Sequence, residues 1–161
     1  MKKCVIIGVG GRHKLFRDAL AEKYSTRYQL VALCDSNIGR LRFAEESIKK
    51  SNVSVRLYLE KDFPKLLRTE EPEVVIVTSP DYTHHQYIIA AAQYGCEIIS
   101  EKPITNNLIN LKSIVSAMEK TDSKATITHN YRYSPHRSQI KQLLMDGAIG
   151  TIKAVTFDWH L

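Results

Sequence analysis

Glu101-Lys102-Pro103 closes the apolar run Cys96-Glu97-Ile98-Ile99-Ser100. A lysine at the carboxyl edge of a buried parallel strand stands where α/β sheets bind ligands. Its ammonium can donate to a substrate oxygen or steer a proton, and the proline fixes the backbone beside it. Alone, the tripeptide reads equally well as a strand-end turn with a solvated lysine. A second cluster gives it company. Gly8-Val9-Gly10-Gly11-Arg12-His13 lies between a first apolar strand and a first helix. Gly8 permits a tight turn, Gly10 lets the backbone approach a pyrophosphate, and the helix N-terminus offers free N–H groups to that anion. The third glycine of a G-x-G-x-x-G turn would fall at position 13, where His13 stands. That departure predicts looser helix–strand packing there. Arg12 is either a phosphate contact or a solvated side chain.

Asp35 ends the second strand, roughly 20 residues past the glycine turn, the offset of an acid that binds ribose hydroxyls. A carboxylate there accepts both hydroxyls of NAD and repels a 2′-phosphate, which favours NAD over NADP. Arg40 is close enough in sequence to complicate that preference. The alternative for Asp35 is a turn-starting residue before Ser36-Asn37. Ser79-Pro80 ends the fourth strand at the same sheet edge, where the nicotinamide half of the cofactor would lie. His84 opens the next helix, its imidazole either reaching the site or satisfying the helix end. His13, His85 and His136 read as surface residues. No His/Cys/Asp/Glu grouping has metal-ligand spacing, and neither G-x-S-x-G nor the P-loop pattern is present.

These residues need a sheet to hold them, and the hydrophobic pattern supplies one. Strands are expected at Cys4–Gly8, Leu30–Cys34, Val53–Leu59, Val74–Thr78, Cys96–Ser100 and Ala125–His129. Helical faces lie between them: Leu15, Phe16, Ala19, Leu20 and Tyr24; Ile38, Leu41, Ala44 and Ile48; Phe63, Leu66 and Leu67; Leu108, Leu111, Ile114, Val115 and Met118. Thr83 and Gln86 have capping-box spacing before a helix that ends at Gly95, and Ser134-Pro135 starts a further helix ending near Gly147. Such alternation predicts an α/β fold, a Rossmann-like doubly wound parallel sheet in the order 3-2-1-4-5-6. In the tail, Val155, Phe157 and Trp159 alternate with Thr156, Asp158 and His160, which predicts the first strand of another sheet over Thr151–Leu161.

The 161 residues suffice for one domain with a real core. The net charge of +6 is scattered among acids, so it fits an anionic ligand and gives no nucleic-acid footprint. Cys4, Cys34 and Cys96 lack CxxC spacing and read as buried reduced thiols. The N-terminus carries neither a signal-peptide pattern nor a membrane span, so a cytoplasmic protein without a membrane partner is expected.

Taken together, the residues resemble the Gfo/Idh/MocA family of oxidoreductases (glucose–fructose oxidoreductase, inositol dehydrogenase and relatives). The matching pieces are Gly8-Val9-Gly10-Gly11, Asp35, the stretch from Pro72 through Pro80 with His84, Glu101-Lys102-Pro103 and Asn130-Tyr131-Arg132-Tyr133-Ser134-Pro135. Gly147-Ala148-Ile149-Gly150-Thr151-Ile152 looks like the crossing into that family's second domain. The resemblance implies an NAD(P)-binding domain over residues 1–130, then a crossing helix and the start of a truncated α+β substrate and oligomerisation domain over 131–161. It implies NAD, with NADP less favoured, held by Gly8, Gly10, Gly11, Arg12, Asp35, Ser79, Pro80, His84, Glu101 and Lys102. Lys102 is the implied catalytic residue, contacting the reacting hydroxyl and the cofactor, with Glu101 helping to position it and Arg132 a further substrate contact. The Lys102–Pro103 peptide is expected to be cis.

The implied activity is oxidoreduction at a hydroxyl or carbonyl of a sugar, cyclitol or related polyol, in a homo-oligomer. The family's acid/base pair comes from the second domain, so this chain by itself is expected not to turn over substrate. A non-catalytic dinucleotide-binding or sensing module is the rival from another class. An S-adenosylmethionine methyltransferase shares the glycine turn and the acid but has no use for Glu101-Lys102-Pro103.

Overall fold

Four consecutive β-branched residues, Val74–Val77, are buried on both faces. Only the middle of a covered sheet offers that environment. A computed structural model describes residues 1–49, 51 and 53–158 and sets this strand in the sheet centre. In chain order the elements are β1 (Lys2–Ile7), α1 (His13–Ala21), β2 (Tyr28–Asp35), α2 (Ile38–Lys49), β3 (Arg56–Leu59), α3 (Phe63–Glu70), β4 (Val74–Val77), α4 (His84–Gln93), β5 (Glu97–Ser100), α5 (Leu108–Glu119), β6 (Ala125–Ile127) and α6 (Pro135–Met145). All strand pairs are parallel, and the order is β3-β2-β1-β4-β5-β6, as the alternation predicts.

The chain divides into two units, Met1–Thr128 and the residues from His129 onward. In the first unit, strand residues alternate between two cores. Val5, Ile7, Val75, Val77 and Ile98 meet Phe63, Leu66, Ile88, Ala91 and Ile114 on the α3–α4–α5 side. Cys4, Ile6, Leu33, Val74 and Ile76 meet Leu20, Leu41, Ala44 and Ile48 on the α1–α2 side. Both faces are covered, so the sheet is doubly wound. The second unit holds a 3₁₀ turn, Asn130–Tyr133, and α6, whose Ile140, Leu143 and Met145 are exposed.

Four local expectations change. Tyr24 falls past the end of α1, in a turn where its amide donates to Ala19 O at 2.9 Å. The third strand begins only at Arg56, where it pairs with Ala32 of β2. The Thr83–Gln86 capping box does not form, because Asp81–Thr83 is already a 3₁₀ turn. The Thr83 hydroxyl bonds back to Pro80 O at 2.6 Å, and Gln86 reaches Glu60 instead at 3.4 Å. The expected tail strand is absent over residues 151–158. A strand exists by pairing its N–H and C=O groups, and alternation alone provides no ladder. Val155 and Phe157 are exposed there, whereas Trp159, His160 and Leu161 lie outside the described residues.

Other ends behave as their residues dictate. Gly95, at φ 72°, closes α4 with Cys96 N–H on Ala91 O at 3.1 Å and its own N–H on Ala92 O at 2.9 Å, a Schellman pair. Asn107, unmarked by the sequence pattern, caps α5 by accepting from Ile109 N at 2.8 Å and Asn110 N at 3.2 Å.

Candidate functional site

The glycine turn leaves β1 at the carboxyl edge of the sheet and is fastened to both neighbours. Gly8 N–H donates to Cys34 O at 2.8 Å, and Thr78 Oγ1 donates to Gly8 O at 2.6 Å. Gly8 has φ 89°, and a Cβ there would overlap the Ser79 backbone nitrogen and Cα and lie 2.6 Å from the Thr78 carbonyl carbon. Only glycine lets the first turn press against the end of β4. Gly10 and Gly11 differ: a Cβ on either would meet nothing within 4 Å. Their backbone faces open space at the N-terminus of α1, whose N-cap residue Arg12 makes no side-chain cap bond. Backbone N–H groups at such a terminus suit an anion.

His13, read as a surface residue, is instead 2% exposed. Its Nδ1 bonds Gly10 O, and Nε2 is buried without a hydrogen-bond partner. The ring fills the space beside the turn, so the missing third glycine does not leave packing slack. Burial pushes the His13 pKa down against the opposing hydrogen bond to the Gly10 carbonyl, and repulsion from Arg17 and Lys14 adds to the lowering.

Asp35 ends β2 almost wholly buried. Its Oδ2 accepts Val9 N–H at 2.7 Å, and its Oδ1 accepts Asn37 N–H at 2.8 Å. Arg40 adds Nε at 3.0 Å and Nη2 at 2.6 Å on Oδ1. Burial by itself would raise the Asp35 carboxyl, but Arg40 and the Asn37 and Val9 amides together hold it below the ordinary carboxylate value. Both sequence readings of Asp35 are therefore realised in one geometry: it braces the glycine turn and starts the next one. Arg40 stands directly on it.

Asp35, Ser36, Arg40, Gly8, Ser79 and Pro80 line one cavity of about 420 Å³. Its far wall contains Glu60, Gln86 and Tyr87, which the sequence reading missed. Glu60 follows Leu59 at the carboxyl edge of β3 just as Asp35 ends β2, and that shared position was the available signal. Tyr87 O–H donates to Glu60 Oε1, and burial followed by this bond raises the phenol pKa.

At the next strand ends, Glu101 N–H donates to Val77 O at 2.9 Å. The Glu101 carboxylate is buried, and its Oε1 has no hydrogen bond. Arg12 Nε lies 3.7 Å from it, an ion pair too long for a hydrogen bond. This pair brings the glycine turn beside the lysine motif. Lys102 is exposed, and the Lys102–Pro103 peptide is cis.

His84 departs from the expected cofactor contact. Its ring is fully buried, with Nδ1 2.8 Å from Pro103 O and Nε2 2.8 Å from Ser79 O. Neither nitrogen remains for a ligand. Arg132 belongs to the second unit, exposed in the Asn130–Tyr133 turn.

Residues 2–129 match the family model GFO_IDH_MocA, described as an oxidoreductase family with an NAD-binding Rossmann fold. The chain is 31% identical to YteT of Bacillus subtilis, covering 100% of this chain and 38% of that protein. It is also 31% identical to the D-apiose dehydrogenase of Paraburkholderia graminis, over 76% of this chain and 31% of that enzyme. The scyllo-inositol dehydrogenase of Lactobacillus casei, solved with NAD(H) and scyllo-inositol, superposes with a TM-score of 0.78 at 24% identity, covering 93% of this chain and 42% of that one. That likeness is one of fold. The chain thus spans less than half the length of these relatives.

Proposed function

We propose a function from one premise: this chain belongs to the Gfo/Idh/MocA oxidoreductase family and carries its NAD-binding Rossmann domain. On this reading the protein is an NAD-dependent oxidoreductase acting on a hydroxyl or carbonyl of a sugar, cyclitol or related polyol. The relatives' names support that substrate class, D-apiose in one and scyllo-inositol in another. Residues 1–130 are the cofactor-binding part, and 131–161 begin the passage to a substrate domain.

The observation that carries the reading is the contrast within the glycine turn. Gly8 is packed tight against β4, while Gly10 and Gly11 keep open space over a helix N-terminus whose side chains leave it uncapped. Fixed N–H donors around an unfilled space suit a pyrophosphate. Gly10, Gly11 and Arg12 would hold that group, and Asp35 would take the adenine ribose at the mouth of the cavity. Bound NAD supplies a hydride acceptor. Lys102 would orient the reacting oxygen and offset the charge that develops on it, and Glu101, next to it in the chain and buried, would help to position it.

The cytoplasm suits the three free cysteines, Cys4, Cys34 and Cys96, all buried. No helix among the described residues is long and apolar enough to cross a membrane. Calorimetric titration of the chain with NAD tests the cofactor assignment, and NADH formation against a panel of sugars and inositols tests the chemistry. A chain that binds no NAD at millimolar concentration refutes the first. The chain by itself is expected to form no NADH, and a measurable NADH-forming rate that Lys102→Ala leaves unchanged refutes the role given to the lysine.

A further inference from the structure

We propose that His84 is the positioning residue of Lys102, tying the Lys102–Pro103 turn to the end of β4 through two hydrogen bonds donated by a doubly protonated ring. The proposal rests on the assignment of Lys102 above. Nδ1 and Nε2 of His84 each lie 2.8 Å from a backbone carbonyl oxygen, that of Pro103 and that of Ser79. A carbonyl accepts and has no proton to give, so both bonds form only when both ring nitrogens carry hydrogen. The neutral imidazole has one N–H and would press its lone pair against the second oxygen.

The location gives the two bonds their use. Lys102 is exposed, and its flexible stem has no anchor of its own. Its backbone is held on both sides. Glu101 N–H is fixed to Val77 O at 2.9 Å, and the Pro103 carbonyl is fixed to His84. Proline has no N–H, so that carbonyl is the one backbone polar group residue 103 can offer. The other bond of His84 falls on Ser79, against which Gly8 is packed. One buried ring therefore joins the lysine turn to the strand end that also seats the glycine turn.

The first measurement is the ¹⁵N NMR spectrum of the chain, with His84 assigned by its disappearance in His84→Gln. Two protonated ring nitrogens, each with an attached hydrogen, are expected. One unprotonated nitrogen overturns the proposal, and this reading needs no variant to bind anything. The second compares NAD with ADP-ribose as ligands. A positioning role predicts that His84→Gln weakens NAD by about tenfold, about 1.4 kcal/mol, and leaves ADP-ribose within about twofold of the unmodified chain. A merely structural role lowers both alike, and that result overturns the proposal. Lys102→Ala should reproduce the NAD-selective loss. If it does not, the assignment of Lys102 has failed and the positioning role with it, while the two-proton signature of His84 stands or falls separately.

Discussion

Gly8→Ala and Gly10→Ala alter two glycines of one turn and should break different things. At Gly8 the added methyl overlaps the Ser79 backbone and lies 2.6 Å from the Thr78 carbonyl carbon, and the residue sits at φ 89°. The backbone conformation alone costs roughly 1–2 kcal/mol for an L-residue, and forcing atoms into packed backbone costs roughly 1–3 kcal/mol more. Relief requires the turn to lift, which stretches Gly8 N–H to Cys34 O at 2.8 Å and Thr78 Oγ1 to Gly8 O at 2.6 Å. The total is about 2–5 kcal/mol, a large share of a typical domain's roughly 5–15 kcal/mol. Thermal unfolding should move down by roughly 4–20 °C. At Gly10 nothing lies within 4 Å of an added Cβ, so stability should change by less than about 1 kcal/mol. NAD affinity should instead fall at least about tenfold, because the methyl occupies the space reserved for phosphate. Calorimetric scans and NAD titrations of both variants are the assay. Parent-like unfolding of Gly8→Ala, or a Gly10→Ala variant destabilised as much as Gly8→Ala, refutes the division.

Asp35→Ala should weaken NAD more than NADP, by up to a few kcal/mol as for other charge-assisted bonds, and should lower stability by stranding the Val9 and Asn37 amides; equal losses for both dinucleotides in paired titrations would count against the ribose assignment. The Asp35 carboxyl is depressed in the fold, so the stability it contributes is complete above the ordinary value near 3.8 and disappears as pH falls through the folded value. Arg40→Ala should consequently cost stability at pH 6 and progressively less on acidification, read from urea unfolding at a series of pH values. His13 is depressed in the opposite chemical sense: its ring is neutral in the fold and gains a proton more readily when unfolded. Stability should decline as pH falls below about 6.5, and His13→Gln should flatten that part of the unfolding profile.

Much of the fold was legible because its signals are local and agree with one another. Val74–Val77 announces a strand covered on both sides, and the glycine turn, Asp35 and Lys102 each follow an apolar run, which sets all three at one sheet edge. What escaped depends on contacts that the hydrophobic pattern does not encode. His84 is 19 residues from Pro103 and 5 from Ser79, and no periodicity links them. His13 looked like a defect in a glycine pattern, yet an aromatic ring can occupy the space a third glycine would have left to a neighbour. Thr83 and Gln86 have the spacing of a cap, but a 3₁₀ turn supplied the helix start first. In the tail, an alternating pattern specified which face would be apolar but not a partner to pair with, and residues 151–158 form no strand.

The Asp35 carboxylate already accepts four N–H groups, two from the backbone and two from Arg40. Three of them crowd Oδ1, which has about two lone-pair sites, and one falls on Oδ2. A ribose hydroxyl arriving at Oδ1 would not fill a vacancy; it would substitute for a ligand already in place. The backbone amides are fixed by the turn, so the exchangeable partner is Arg40, whose side chain is half in solvent. Affinity at this corner is then a difference between two bonds to one anion. Deleting the arginine frees an acceptor rather than losing a contact, so Arg40→Ala should tighten a dinucleotide bearing a free 2′-hydroxyl.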